Sequence, residues 1–407
     1  FTKRTLRKDV LEYVKYTQRL PITIPFNPSD DEARLYDLIS AFLQREESYA
    51  LPARQKHLVS LIVRKLLASS TQAVIKTLET MLHRLRALEV EAQSNEDWIA
   101  DLIEQEDLED EWLEQSLEED VSERVIDKTQ LRGEIAELES YLELAHRIKH
   151  DEKSFALLNA LKQGFDKMTE LGSPHKAVVF TESRRTQDYL AQFLEQHGFA
   201  GKVVTFSGSN TDQHTQAIYQ AWLSQHQGSD RITGSPAVDK RTALIDHFRE
   251  KAEILIATEA AAEGVNLQFC NLVVNYDLPW NPQRVEQRIG RCHRYGQKFD
   301  VVVINFLNQR NEADRRVLEL LSDKFHLFNG VFGASDDILG RIESGVDLEK
   351  RIAEIYAQSR NPEEIVQAFD DLQKELEAQI NQRMLETEQK LFEHFDQNIH
   401  DLLKVRK

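Results

Sequence analysis

Five short runs rich in valine and isoleucine dominate the middle of this chain: KAVVFT (Lys176–Thr181), KVVTF (Lys202–Phe206), EILIAT (Glu253–Thr258), LVVNY (Leu272–Tyr276) and DVVVINFL (Asp300–Leu307). They alternate with segments of helical periodicity, expected at Ser154–Leu171, Thr186–His197, Lys240–Lys251 and Pro282–Arg291. Apolar runs without a polar partner at every second position are buried on both faces. Strands of that kind, about a dozen helical residues apart, belong to a parallel sheet covered by helices on both sides. The reading is therefore an α/β domain over 151–330, doubly wound and with right-handed crossovers. A polar excursion over about 207–240 interrupts it, carrying one amphipathic stretch at Ile218, Trp222 and Leu223. Compact α/β links are normally shorter.

The flanks read differently. Residues 1–45 form a connector, extended or irregular around Pro21, Pro25 and Pro28, then helical behind a capping Ser29 with Leu35, Leu38, Ile39, Phe42 and Leu43 on one face. Residues 46–150 keep a helical pattern and contain the acidic part of the chain. Ala87–Glu123 holds 16 Asp and Glu with no Lys or Arg, so the formal net charge of −18 is concentrated there and the remainder is close to neutral. A near-neutral remainder can carry a local basic groove, so net charge does not exclude nucleic acid. Trp98, Ile99, Leu102, Trp112 and Leu113 favour a helical insertion with an acidic outer face over a disordered loop. Residues 331–407 read as a C-terminal helical extension, with Ile365, Phe369, Leu372, Leu376 and Ile380, then Phe395, Ile399 and Leu402, at coiled-coil-like spacing. No apolar run approaches the ~20 residues of a membrane span. Cys270 and Cys292 lack zinc-site spacing, no metal site is expected, and a reduced, cytoplasmic setting is the simplest inference.

Open parallel sheets bind ligands at the carboxyl ends of their strands, so the informative loops follow the five runs. Thr181, Glu182, Ser183 and Arg184 follow the first, Ser207 and Gly208 the second. Thr258, Glu259, Gly264 and Asn266 follow the third, and Asp277, Trp280 and Asn281 lead from the fourth into QRIGRCHRYGQ, Gln287–Gln297. Hydroxyls, glycines and helix starts suit backbone phosphates. Arg291 and Arg294 are three apart, which on a helix puts two planar, permanently charged donors on one face, an arrangement suited to a terminal phosphate.

These residues carry a family resemblance. TEAAAEGVNLQ (Thr258–Gln268) resembles motif V, YDLPWNP (Tyr276–Pro282) the D-x-x-WNP turn, QRIGRCHRYGQ motif VI and KAVVFTES motif IV of the second RecA-like lobe of superfamily-two helicases. The wording is that of Swi/Snf-type DNA-dependent ATPases, nearest the bacterial RapA-like branch. The match covers 151 to about 321 and leaves the acidic region and the C-terminus unmatched. The resemblance implies a RecA-like parallel sheet and an ATP-dependent translocase. Arg291 and Arg294 would be fingers on the γ-phosphate, Gln287 a nucleotide sensor, and Gly264, Asn266 and Arg288 cofactor contacts. Arg288 has an alternative as a structural partner of Glu259 or Glu286. Asn266 stands where relatives carry a ribose-contacting Asp. Thr181, Ser183, Arg184, Ser207, Gly208, Thr258 and Glu259 would meet the nucleic-acid backbone, with double-stranded DNA favoured over RNA. His293 reads as packing or solvent before catalysis.

No G-x-x-x-x-G-K-[ST] loop is present, and Asp31-Glu32-Ala33 begins a helix instead of ending a buried strand. ATP and Mg2+ are thus expected mainly on a first RecA-like lobe, absent from this sequence, to which the connector would lead; this chain by itself would be inactive. A second class of function stays open: the acidic helices as an adaptor for a basic protein partner, the α/β lobe serving as scaffold.

Overall fold

Each of the five Val/Ile runs is a strand in the computed structural model, which describes residues 17–45, 47–51, 56–90, 127–208, 210–259, 264–324, 327, 330–331, 345–359, 363–376 and 378. The strands are β2 (Ala177–Thr181), β3 (Val203–Phe206), β4 (Ile254–Thr258), β5 (Leu272–Asn275) and β6 (Val301–Asn308), preceded by β1 (Gln18–Phe26). The helices in chain order are α1 (Asp30–Leu43), α2 (Lys56–Ser69), α3 (Thr71–Glu89), α4 (Lys128–Arg147), α5 (Glu152–Leu171), α6 (Arg184–Gln196), α7 (Gln213–Gln225), α8 (Pro236–Glu250), α9 (Pro282–Cys292), α10 (Glu312–Glu319) and α11 (Gly345–Gln358). Two compact units emerge. One comprises Tyr16–Pro279 and Gln287–Arg310; the other takes its described residues from Trp280–Glu286 and Asn311–Lys407.

In the first unit the six strands run in the order β3-β4-β2-β5-β6-β1, every pairing parallel. Alternate strand residues build one core face: Val179, Ile256, Val274 and Ile304 pack with Leu157 and Leu161 of α5 and Leu190 and Phe193 of α6. The intervening residues face α8 and α9, where Arg241 lies over the Phe206 ring and Arg288 over the Phe180 ring. Helices on both faces explain why the strands are apolar throughout. At Gly164 of α5 the helix comes so near the sheet that an added Cβ would lie 2.6 Å from a Leu272 methyl. The helix ends at Gly172, in the left-handed conformation that glycine adopts without steric cost.

Three features differ from expectation. Gln18–Phe26, assigned to a connector on account of its prolines, is a full strand paired with β6. Pro21 and Pro25 are four apart, so their missing N–H groups fall on one edge of the strand. The even-numbered residues face β6, with Phe26 O accepting from Gln309 N–H at 3.0 Å. The amphipathic stretch of the 207–240 excursion is packed on the lobe: Trp222 of α7 is buried and donates Nε1–H to Asp246 of α8 at 2.9 Å. Helix α8 itself begins at Pro236, earlier than Lys240, because proline is tolerated in the first helical turn.

The capped helix at Ser29 is as expected. Ser29 Oγ accepts from Glu32 N–H while the Glu32 carboxylate accepts from Ser29 N–H, a closed capping box. Glu32 is thereby consumed by a helix start. Of the acidic region, α2, α3 and α4 are helical. Buried Glu134 of α4 accepts from Ser48 Oγ–H and from the Tyr49 and Ala50 amides, fixing the turn before α2. Most of the acidic stretch, with Trp98 and Trp112, lies outside the described residues. In the second unit Phe369, Leu372 and Leu376 of helical residues 363–376 are buried as their spacing suggested. The later stripe at Phe395, Ile399 and Leu402 lies outside the described residues.

Candidate functional site

All six strands are parallel, so their carboxyl ends share one edge, and the register sets Thr181 beside Thr258 and Phe206 beside Ala257. The chain leaves β2 through α6 toward β3 on one side and leaves β5 through α9 toward β6 on the other. The crevice between β2 and β5 is therefore the topological switch point, where open α/β sheets place ligands. Asp277 stands in it.

Asp277 is a buried carboxylate with a full set of donors. Its Oδ2 accepts from Thr181 Oγ–H at 2.6 Å, Ser69 Oγ–H at 2.7 Å and Glu182 N–H at 3.0 Å, and its Oδ1 accepts from Lys153 Nζ at 3.0 Å. Burial opposes its charge, but Lys153 and the two hydroxyl donors outweigh that cost and hold the carboxyl below its usual range. Thr181 therefore spends its hydroxyl inside the protein. Ser183 caps α6 through Oγ, accepting from Thr186 N–H at 3.1 Å, and is buried. Arg184 follows it, half-buried.

Arg288 resolves to the structural alternative. It is 1% exposed. Its Nε donates to Glu259 at 2.7 Å, Nη2 to the same carboxylate, and Nη1 to Asp277 O at 2.5 Å. A guanidinium enclosed by a carboxylate and a carbonyl is consumed as a clamp between the loops after β4 and β5. Arg288 thus makes the pairing with Glu259 that the sequence offered as its structural alternative.

On the same helix Gln287 is exposed and Arg291 half-buried. Arg291 O accepts from Leu267 N–H at 3.1 Å, fastening the end of α9 to the loop before β5. Because α9 ends at Cys292, Arg294 lies past the helix and does not share a helical face with Arg291; its Nε donates back to Gly290 O at 2.7 Å. Gln297 is the latch of this segment, one Nε2 reaching Gln268 O at 2.9 Å and Cys292 O at 3.0 Å, while Gln268 Nε2 returns to Tyr295 O at 2.6 Å. His293 is buried: Nδ1 accepts from Arg19 Nε and Nε2 donates to Thr17 O, the neutral tautomer of a packed side chain. Asn266, exposed, turns its Oδ1 onto Gln268 N–H at 3.1 Å, and Gly264 takes a φ of +73°.

The remaining loops are compact. Ser207 N–H donates to Asn210 Oδ1 at 2.9 Å, with exposed Gly208 between them, and Thr258 is buried at the end of β4. In the second unit, Asn281 caps α9 by accepting from Gln283 N–H at 2.9 Å with Pro282 following, the physical reason for the Asn-Pro pair. Trp280 stacks on Tyr356 of α11, ring centroids 4.8 Å apart. Lys153, Ser69 and Gln297 carry the site's scaffolding, together with buried Gln187, whose Nε2 donates to Phe206 O at 3.0 Å and Ile256 O at 2.8 Å. Their partners lie up to 208 residues away in the chain, and no local spacing announces them.

A doubly wound parallel sheet with a clamped arginine helix at its carboxyl edge is a RecA-like α/β fold. Residues 156–296 match the helicase conserved C-terminal domain. The chain is 31% identical over 359 residues to an uncharacterized ATP-dependent helicase, YqhH, of Bacillus subtilis, covering 88% of this chain and 49% of that protein. It is 27% identical over 165 residues to Helicase SWR1 of Kluyveromyces lactis, covering 40% of this chain and 9% of that one. Among solved structures, the C-terminal part of the Fun30 ATPase domain aligns with a TM-score of 0.41 at 16% identity, over 84% of this chain and 98% of that one. Residues 156–296 are thus a helicase conserved C-terminal domain, and the chain resembles the C-terminal lobe of Swi/Snf-type superfamily-two helicases. It spans about half the length of the Bacillus relative. Among the described residues no helix is long and apolar enough to cross a membrane, and no His, Cys, Asp and Glu group would hold a metal ion.

Proposed function

We propose that this chain is the C-terminal portion of an ATP-dependent DNA translocase, completing a nucleotide site whose phosphate-cradling half lies on a first RecA-like lobe. The observation that carries the proposal is the division of labour along α9. Arg288 is spent internally on Glu259 and Asp277, which fixes the helix, while Gln287 and Arg294 are exposed and Arg291 is half-buried at the same edge. Guanidiniums and an amide, all donors, are the groups a polyphosphate accepts. ATP with Mg2+ supplies the transferable γ-phosphoryl group. Arg291 and Arg294 stabilise the charge that develops on it, and Gln287 reads its presence.

The polar rim of the sheet supports a backbone-tracking role with duplex DNA as the track. Thr181, Ser183, Thr258 and Ser207 are buried or internally bonded, so the proposal assigns them to shaping these loops. Direct contact falls to exposed Gly208, to Arg184 and to backbone amides of the rim, a sequence-independent mode of binding. The test joins this chain to a nucleotide-binding lobe. The joined protein should hydrolyse ATP with stimulation by duplex DNA, and the 407-residue chain alone should not. Turnover by the isolated chain at the joined rate would refute the divided site, and stimulation by RNA only would refute the track.

A further inference from the structure

Asp277 is where the inserted helices and the arginine helix meet. Ser69, the last residue of α2, donates to its carboxylate at 2.7 Å, and Lys153 bonds both to that carboxylate at 3.0 Å and to Ala68 O of α2 at 2.8 Å. Its backbone oxygen accepts from Arg288 of α9 at 2.5 Å. Next to it, Glu182 is divided between the same two elements. One carboxylate oxygen is 3.3 Å from Lys65 of α2; the other is buried with no hydrogen-bond partner, 4.0 Å from Arg288 Nη2. A buried carboxylate oxygen without a donor is costly, and a guanidinium within reach offers a second stable arrangement.

We infer that the α2–α4 region controls the arginine helix through Asp277 and Glu182, with Ser69 and Lys65 as the releasable contacts. Ser69 gives Asp277 a neutral hydroxyl from an element outside the sheet, whereas Lys153 gives it a full charge. Withdrawal of the end of α2 removes the hydroxyl from Asp277 and the ammonium from Glu182 together. Glu182 then turns to Arg288, which is shared with Glu259, and the clamp on α9 loosens. A protein partner bound to α2–α4 would thereby set the state of α9 without touching it. Ser69, Lys65 and Glu182 are positioning residues, and the functional meaning of the device rests on reading α9 as the finger helix.

The test reads α9 directly, without ATP hydrolysis, so it stands or falls separately from that reading. Hydrogen exchange is followed by mass spectrometry on the 407-residue chain as wild type, Ser69→Ala, Lys65→Met and Ser69→Thr. Loss of a hydrogen bond to a charged group should speed exchange roughly tenfold in peptides covering 181–188 and α9, with β5 and β6 unchanged. Ser69→Thr keeps the hydroxyl and should restore the wild-type rate. Exchange in α9 unchanged in both Ser69→Ala and Lys65→Met, or an increase that Ser69→Thr does not reverse, overturns the inference.

Discussion

Neighbouring residues of α9 differ in what their removal costs. Arg288→Ala leaves half-buried Glu259 without its counter-charge and Asp277 O without its donor, so it should lower the unfolding free energy by about 3–5 kcal/mol in a denaturant titration. Gln287→Ala, at an exposed position, should stay within about 0.5 kcal/mol. Asp151, nearly enclosed, accepts from the N–H and hydroxyl of Thr71, and burial, the largest cause, raises its pKa from 3.8 to about 6. The folded state therefore holds this proton more tightly than the unfolded one. Its contribution to stability is full below pH 3.8 and is lost as pH rises through about 6. Asp151→Asn should flatten the pH dependence of the melting temperature across that window; an unchanged slope would mean that Asp151 titrates normally. The Arg288–Glu259 pair was one of the alternatives the sequence offered, whereas the environments of Asp277 and Asp151 are not legible from spacing, because their partners are joined only once the sheet has brought distant loops together.

Elements were legible where local pattern and tertiary environment agree. The five Val/Ile runs became strands because both faces of a parallel sheet are covered, and Ser29 and Gly172 marked helix ends by chemistry confined to a few residues. Gln18–Phe26 escaped because its prolines count against a strand unless one knows that both fall on the edge turned away from β6. The α7 helix was legible only as an amphipathic stretch at Ile218, Trp222 and Leu223 within a surface excursion, because what secures Trp222 is Asp246, 24 residues on. Gly164 offers an element-scale test. A side chain there would meet Leu272 at 2.6 Å and Ile304 at 3.4 Å, so Gly164→Val should cost about 1–3 kcal/mol by forcing α5 off β5 and β6. Thermal unfolding of the purified variant measures it, and a stability equal to wild type would show that α5 is free to shift.

At the scale of the whole molecule, the proposed function makes the candidate site one half of a divided site. The family and the lobe were readable in Thr258–Gln268, Tyr276–Pro282 and Gln287–Gln297, because motif wording survives in contiguous sequence. The roles within those motifs were less readable: Arg288 is a clamp, Arg294 sits past the helix, and the hydroxyls at the strand ends largely serve the lobe's own structure. Together these features describe an edge that carries exposed donors and is joined to the helical region at Asp277, and the proposed function turns those donors toward a phosphate. The most direct measurement is steady-state ATP hydrolysis and nucleotide binding by the joined two-lobe protein carrying Arg291→Ala. The account predicts a turnover number lower by roughly 10³ to 10⁵, the range of an arginine finger, with nucleotide affinity within a few-fold of wild type. Turnover equal to wild type would contradict it.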